Sequence, residues 1–126
     1  MGIIEFLNQF AIVDIFMNYM HYFFVGARAT VLISLVTVVG GVIVGCTIAL
    51  MRLSTFNLLS KVARVYVTVI RGTPLLVQLY IVYFQLDFIT FPSVMVLGVD
   101  TARVIPCIIA LIINSGAYVA EIVRAG

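Results

Sequence analysis

The sequence predicts an all-α protein that sits in a membrane and crosses it three times. Three observations lead there. Of 126 residues, 64% are hydrophobic and only 10% charged, with a mean hydropathy of +1.28, whereas a soluble domain averages about half apolar and about a quarter charged. Residues 29–51 carry no charge and are bracketed by Arg28 and Arg52. Arg52, Lys61, Arg64 and Arg71 fall in one stretch that holds no acid. A chain this small leaves much of its surface exposed however it folds, so lipid must be part of its solvent.

The elements follow in chain order. Residues 1–27 hold Glu5, Asp14 and His21 but no Lys or Arg, and aromatics recur at Phe6, Phe10, Phe16, Tyr19, Tyr22 and Phe23. That mixture predicts a helix lying in the outer interface. The start lacks the basic stretch and small-residue cleavage site of a signal peptide. It also lacks Ser or Thr at position 6, which weakens a myristoylation reading. The segment is read as mature sequence.

The first span is residues 29–51, about 35 Å of helix, enough to cross a hydrocarbon core of about 30 Å. Within it Gly41, Gly45 and Ala49 recur every four residues. They form one smooth stripe where another helix can approach closely, although small residues are common in any membrane helix. The second span runs over 65–86, because residues 75–86 alone are too short to cross, and this places Arg71 inside the inner leaflet. The third covers 104–123, with Pro106 in its first turn, where proline is tolerated. The connection over 87–103, with Pro92, Gly98 and two acids, reads as an extramembrane loop.

Basic residues set the direction. The segment 52–71 faces the cytoplasm, the N-terminus and the 87–103 loop lie outside, and the chain leaves its third span on the cytoplasmic side at Arg124. The whole of 1–126 is one membrane unit, without repeats or linkers.

Two segments carry most of the information. In Arg71-Gly72-Thr73-Pro74-Leu75-Leu76-Val77-Gln78, Pro74 has no N–H and crowds the Ile70 carbonyl, so a continuous helix must kink. The freed carbonyl needs another donor, for which Thr73 and Arg71 are the candidates. Arg71 is either a functional residue within a span or an arginine reaching back to the headgroups. Further on, Asn114, Tyr118 and Glu121 fall at i, i+4 and i+7, one face of a helix, with Ser115 beside them. Ordinary interhelical hydrogen bonds and an ion pair, to Arg124 or to a base on another helix, are the competing explanation.

Several classes are disfavoured. The net charge of +2 and scattered basic residues do not suit nucleic acid. Cys46 and Cys107 sit in apolar runs as small packing residues, and His21 has no ligand partner nearby, so no metal site is expected. No nucleophile–base set or phosphate-cradling loop is present, which argues against an enzyme. No filter motif supports an ion channel.

The run RGTPLLVQLYIVYF at 71–84, together with INSGAYVAEIVRAG at 113–126, closely resembles the permease subunits of polar amino-acid ABC importers. That group handles histidine, glutamine, glutamate, arginine, cystine and opines. The lead-in ALMRLSTFNLLSKVARVYVTVIRGTP fits as well, and the resemblance covers residues 22–126. It implies a type I importer permease fold of five spans with the N-terminus outside, of which three are present here. It implies a second permease chain (homo- or heterodimer), cytoplasmic ATPase subunits that carry ATP and Mg, an external solute-binding protein, and no cofactor on this chain. It also implies that an ATPase-docking loop and two more spans follow the position of Gly126, so that this sequence is a partial domain unable to couple to hydrolysis alone.

Within that picture, rocking helices pass an amino acid inward. Asn114, Ser115 and Tyr118 are the candidates to line the pathway, Glu121 meets a cationic group or anchors its helix, and Arg71, Gly72, Thr73, Pro74 and Gln78 form a kink near the cytoplasmic gate. The rival reading is a truncated, non-transporting membrane fragment that acts only as a structural or assembly partner.

Overall fold

A computed structural model describes residues 2–126. Helix α1, Gly2–Leu53, is followed by α2, Asn57–Gly72, and α3, Leu75–Leu86; strands β1, Met95–Val96, and β2, Val99–Asp100, precede the last helix α4, Thr101–Ala125. Two helices, α1 and α4, are each long and apolar enough to cross a membrane, and α2 and α3 qualify together as a bent pair.

The 52 residues of α1 make a helix about 78 Å long. This corrects the division expected at residue 28. Residues 2–27 are not a separate helix but continue the one that holds 29–51 without a break. The reason is local: no proline occurs before Pro74, and at Gly26 the Thr30 hydroxyl donates to the Gly26 carbonyl at 2.9 Å. Residues 2–19 are all exposed. At the other end, the Arg52 carbonyl, orphaned as the helix stops, accepts from the Ser60 hydroxyl at 3.0 Å.

The small-residue stripe packs on α4. A Cβ added to Gly41 would lie 2.7 Å from Ser115 Cβ, and one added to Gly45 would lie 2.5 Å from Val119 Cβ. Gly116 of α4 likewise admits Val44 of α1. Gly40 meets Ile112, Gly41 meets Ser115 and Gly45 meets Val119, so α1 and α4 run parallel. The intervening chain must therefore return from one end of the pair to the other. Helix α3 makes that passage antiparallel to α4, with Gln78 beside Asn114 and, further along, Tyr83 and Leu86 near Pro106.

Burial is inverted relative to a soluble protein. The buried apolar residues are Ala49, Ala63, Val67, Ala110, Ala117 and Ala120, and no large side chain is fully buried among the described residues. Phenylalanines, leucines and isoleucines face outward instead. Lipid supplies no hydrophobic drive between helices, so close backbone approach at small residues holds them together. Cys46 and Cys107 are free thiols.

The connection after α3 is more ordered than a plain loop. Met95 pairs with Asp100 and Val96 with Val99 around Leu97 and Gly98, both at positive φ (53° and 83°), a two-residue hairpin turn. Asp100 then caps α4, its carboxylate accepting from the Ala102 N–H at 3.1 Å. This cap starts α4 at Thr101, earlier than expected, and moves Pro106 out of the first turn.

Candidate functional site

Proline 74 does more than kink a span. Helices α2 and α3 meet at an elbow of 110° within the stretch 65–86 expected as the second span. Thr73 and Pro74 are both extended. Pro74 has no N–H, so the break leaves the Ile70 carbonyl without its helical donor, a severe cost inside a membrane. Thr73 Oγ1 donates to the Val69 carbonyl at 3.0 Å and lies 3.3 Å from that of Ile70. The shorter bond to the Ile70 carbonyl comes from Gln78 Nε2, at 2.7 Å, which also reaches Thr73 Oγ1 at 2.7 Å and the Thr73 carbonyl at 3.1 Å. Gln78, one of the kink candidates, supplies the donor to Ile70 that the sequence had assigned to Thr73 or Arg71. Its signal was present as a lone amide four residues after the proline in an apolar run.

Gln78 is 8% exposed, and its remaining oxygen accepts from Asn114 Nδ2 at 2.9 Å. The elbow is thus hydrogen-bonded to the middle of α4. One turn toward the C-terminus, the Arg71 guanidinium sits over the Tyr118 ring, 5.4 Å from its centroid. One turn further, Glu121 gathers three arginines. Arg52 Nη1 donates to Oε2 at 2.6 Å, Arg71 Nη1 lies 3.8 Å from the same oxygen, and Arg124 Nη1 lies 3.5 Å from Oε1. The face at 114, 118 and 121 is therefore a docking strip for the elbow, gripping Gln78 on one side of the bend and Arg71 on the other. Tyr66 of α2 adds a hydroxyl donated to the Ile113 carbonyl.

No family model matches the chain. The arginine transport system permease protein ArtQ of Bacillus subtilis is 40% identical over 101 residues, 80% of this chain and 43% of that protein. The glutamine transport system permease protein GlnP of Escherichia coli is 34% identical over 102 residues, 79% of this chain and 42% of that one. A crystal structure described as an amino acid ABC transporter with histidines superposes with a TM-score of 0.69 at 37% identity, covering 87% of this chain and 49% of its own. The protein is a homologue of amino-acid ABC transporter permeases. It spans less than half the length of the curated relatives it matches.

In this permease homologue the sequence-derived candidates separate into three groups. Asn114, Tyr118 and Glu121 share the α4 strip with Arg71, Thr73 and Gln78 of the elbow. Ser115 does not join them. One residue on from Asn114 is a turn of about 100°, which points it at Gly41 in the α1–α4 seam, where it packs against α1. Gly72 lies at the bend with open space where a Cβ would go. Among the described residues no group of three or more His, Cys, Asp or Glu side chains comes together.

Arg52 was legible only as the boundary of a span, yet its side chain is the most enclosed of the three arginines, 10% exposed against 43% for Arg71 and 54% for Arg124. Removing its counterion therefore leaves an enclosed charge alone, whereas removing both partners does not. Glu121→Gln is expected to lower the melting temperature of the protein in lipid nanodiscs, and the double variant Arg52→Gln/Glu121→Gln to recover part of that loss. A double variant no more stable than Glu121→Gln would refute the pairing.

Proposed function

We propose that this chain forms part of a permease subunit that carries polar amino acids inward across the cytoplasmic membrane. ATP and Mg act on separate ATPase subunits, a second permease chain completes the pathway, and an external solute-binding protein delivers the cargo. The N-terminus faces outward, and the three helical passes are part of a five-span type I arrangement. Identity of 34–40% to arginine and glutamine permeases is the observation that supports this reading. The elbow fits it, since transporters build their moving and binding parts at broken helices whose freed backbone groups are satisfied locally.

In this reading Asn114 and Tyr118 line the pathway from α4, and the elbow at Arg71–Pro74 is the mechanical element near the cytoplasmic gate. The Arg52–Glu121–Arg71 cluster anchors the cytoplasmic ends of three helices and is regrouped as they rock. The function is tested with the full-length protein, its ATPase and its binding protein in proteoliposomes. ATP-dependent uptake of a labelled polar amino acid is expected, and no uptake across cationic, acidic and amide substrates would overturn the reading. In the same assay Pro74→Ala restores a helical donor for Ile70 and straightens the elbow. It is expected to change the uptake rate several-fold while half-saturation moves less; equal rates in the two proteins would count against a mechanical role.

A further inference from the structure

Beyond the elbow, toward the end of α4 that the proposed orientation puts outside, the structure holds a cavity of about 430 Å³ with no part in the site above. Tyr83, Asp87 and Thr90 line it from α3 and the following turn, and Asp100, Arg103 and Pro106 line it from the start of α4. Its charged lining contrasts with the neighbouring cavity of about 280 Å³ between α1, the hairpin and α4, which is walled by residues such as Leu32, Val36, Val99 and Ile108.

The three charges in the larger cavity are not equivalent. Asp100 caps α4 through one carboxylate oxygen. Asp87 and Arg103 line the same space, yet neither forms an ion pair with the other or with any described residue. Two opposite charges that share a cavity without meeting suit a ligand that carries both. Arg103 also precedes Asn114 by three turns of helix, which puts it on the same face of α4, about 16 Å along the axis. Pro106, Cys107 and Ala110, none of them long, lie between them on that face. The cavity therefore stands at the outer head of the strip that the elbow grips.

We infer that this cavity is an outer vestibule for a zwitterionic α-amino acid. The carboxylate takes the two-pronged Arg103 guanidinium, a geometry suited to paired hydrogen bonds, and the ammonium meets Asp87. Both groups are exposed, so water screens them and the affinity is weak, on the order of millimolar. The inference rests on the import reading and adds an entry site to it.

Saturation-transfer NMR on the full chain in nanodiscs tests it, with L-glutamine as the probe. N-acetyl-L-glutamine keeps the carboxylate but has no ammonium, and L-glutaminamide keeps the ammonium but has no carboxylate. Transfer to glutamine is expected, with binding at least about fivefold weaker for each analogue. Arg103→Gln should bring glutamine down to the level of glutaminamide, and Asp87→Asn to that of N-acetylglutamine. Absent transfer to glutamine, analogues that bind as well as glutamine, or two variants that bind it like the wild type would each overturn the vestibule. The measurement uses no ATP and no partner, so it separates the two readings. Binding retained without uptake falls on import alone, and uptake retained without binding falls on the vestibule alone.

Discussion

Replacing Gly45 with alanine is expected to push α1 off α4 and destabilise the protein by about 1–3 kcal/mol, the usual cost of forcing an extra carbon into a filled contact. The added Cβ would stand 2.5 Å from Val119 Cβ, 2.6 Å from its Cγ1 and 2.9 Å from the Gly116 carbonyl oxygen. None of these is the loose end of a flexible side chain. The oxygen belongs to the α4 backbone and the two carbons lie one and two bonds from it, so relief requires the helices to separate. Separation forfeits the close packing that holds membrane helices together where lipid offers no hydrophobic drive. The same substitution at Gly72 is the control, because a Cβ there meets nothing within 4 Å. Thermal unfolding in nanodiscs should show a clear drop for Gly45→Ala and little change for Gly72→Ala. Equal stability of the two variants would mean that the α1–α4 seam is not as close as described.

The second large effect is expected at Gln78. Gln78→Leu keeps the bulk of the side chain but takes the main donor from the Ile70 carbonyl and the acceptor from the Asn114 amide. An unpaired buried polar group costs about 1–3 kcal/mol, while interhelical hydrogen bonds in membranes average nearer 0.6 kcal/mol because alternative partners are found. Here the Ile70 carbonyl retains the Thr73 hydroxyl at 3.3 Å, so about 2 kcal/mol in total is the reasonable figure. The diagnostic is non-additivity. Asn114→Leu in a Gln78→Leu background should cost less than in the wild type, because the bond between them is already gone. In the reconstituted transporter, uptake by Gln78→Leu should fall at least about tenfold, since about 1.4 kcal/mol of misplacement already accounts for that factor. Additive stabilities with unchanged uptake would remove Gln78 from the elbow.

Both effects depend on side chains whose types were legible in the sequence and whose partners were not. The uncharged run at 29–51 and the spacing of Gly41, Gly45 and Ala49 follow from residue type and helical period alone. So do the break at Pro74 and the single face shared by Asn114, Tyr118 and Glu121. Each is local, a matter of hydropathy summed along the chain or of one missing N–H, and neighbouring residues suffice to compute it. The tertiary structure decided everything that required two distant residues to be compared. It turned the break into a 110° elbow, because Gln78 and Thr73 could bond the Ile70 and Val69 carbonyls while α4 held both arms. It moved Ser115 into the α1 seam and made Arg52 the 2.6 Å partner of a glutamate on another helix. A residue's chemistry states which bonds it needs. Which group supplies them depends on distances across the bundle, and in a bundle held by close backbone contact those distances are set by where small residues on different helices happen to face.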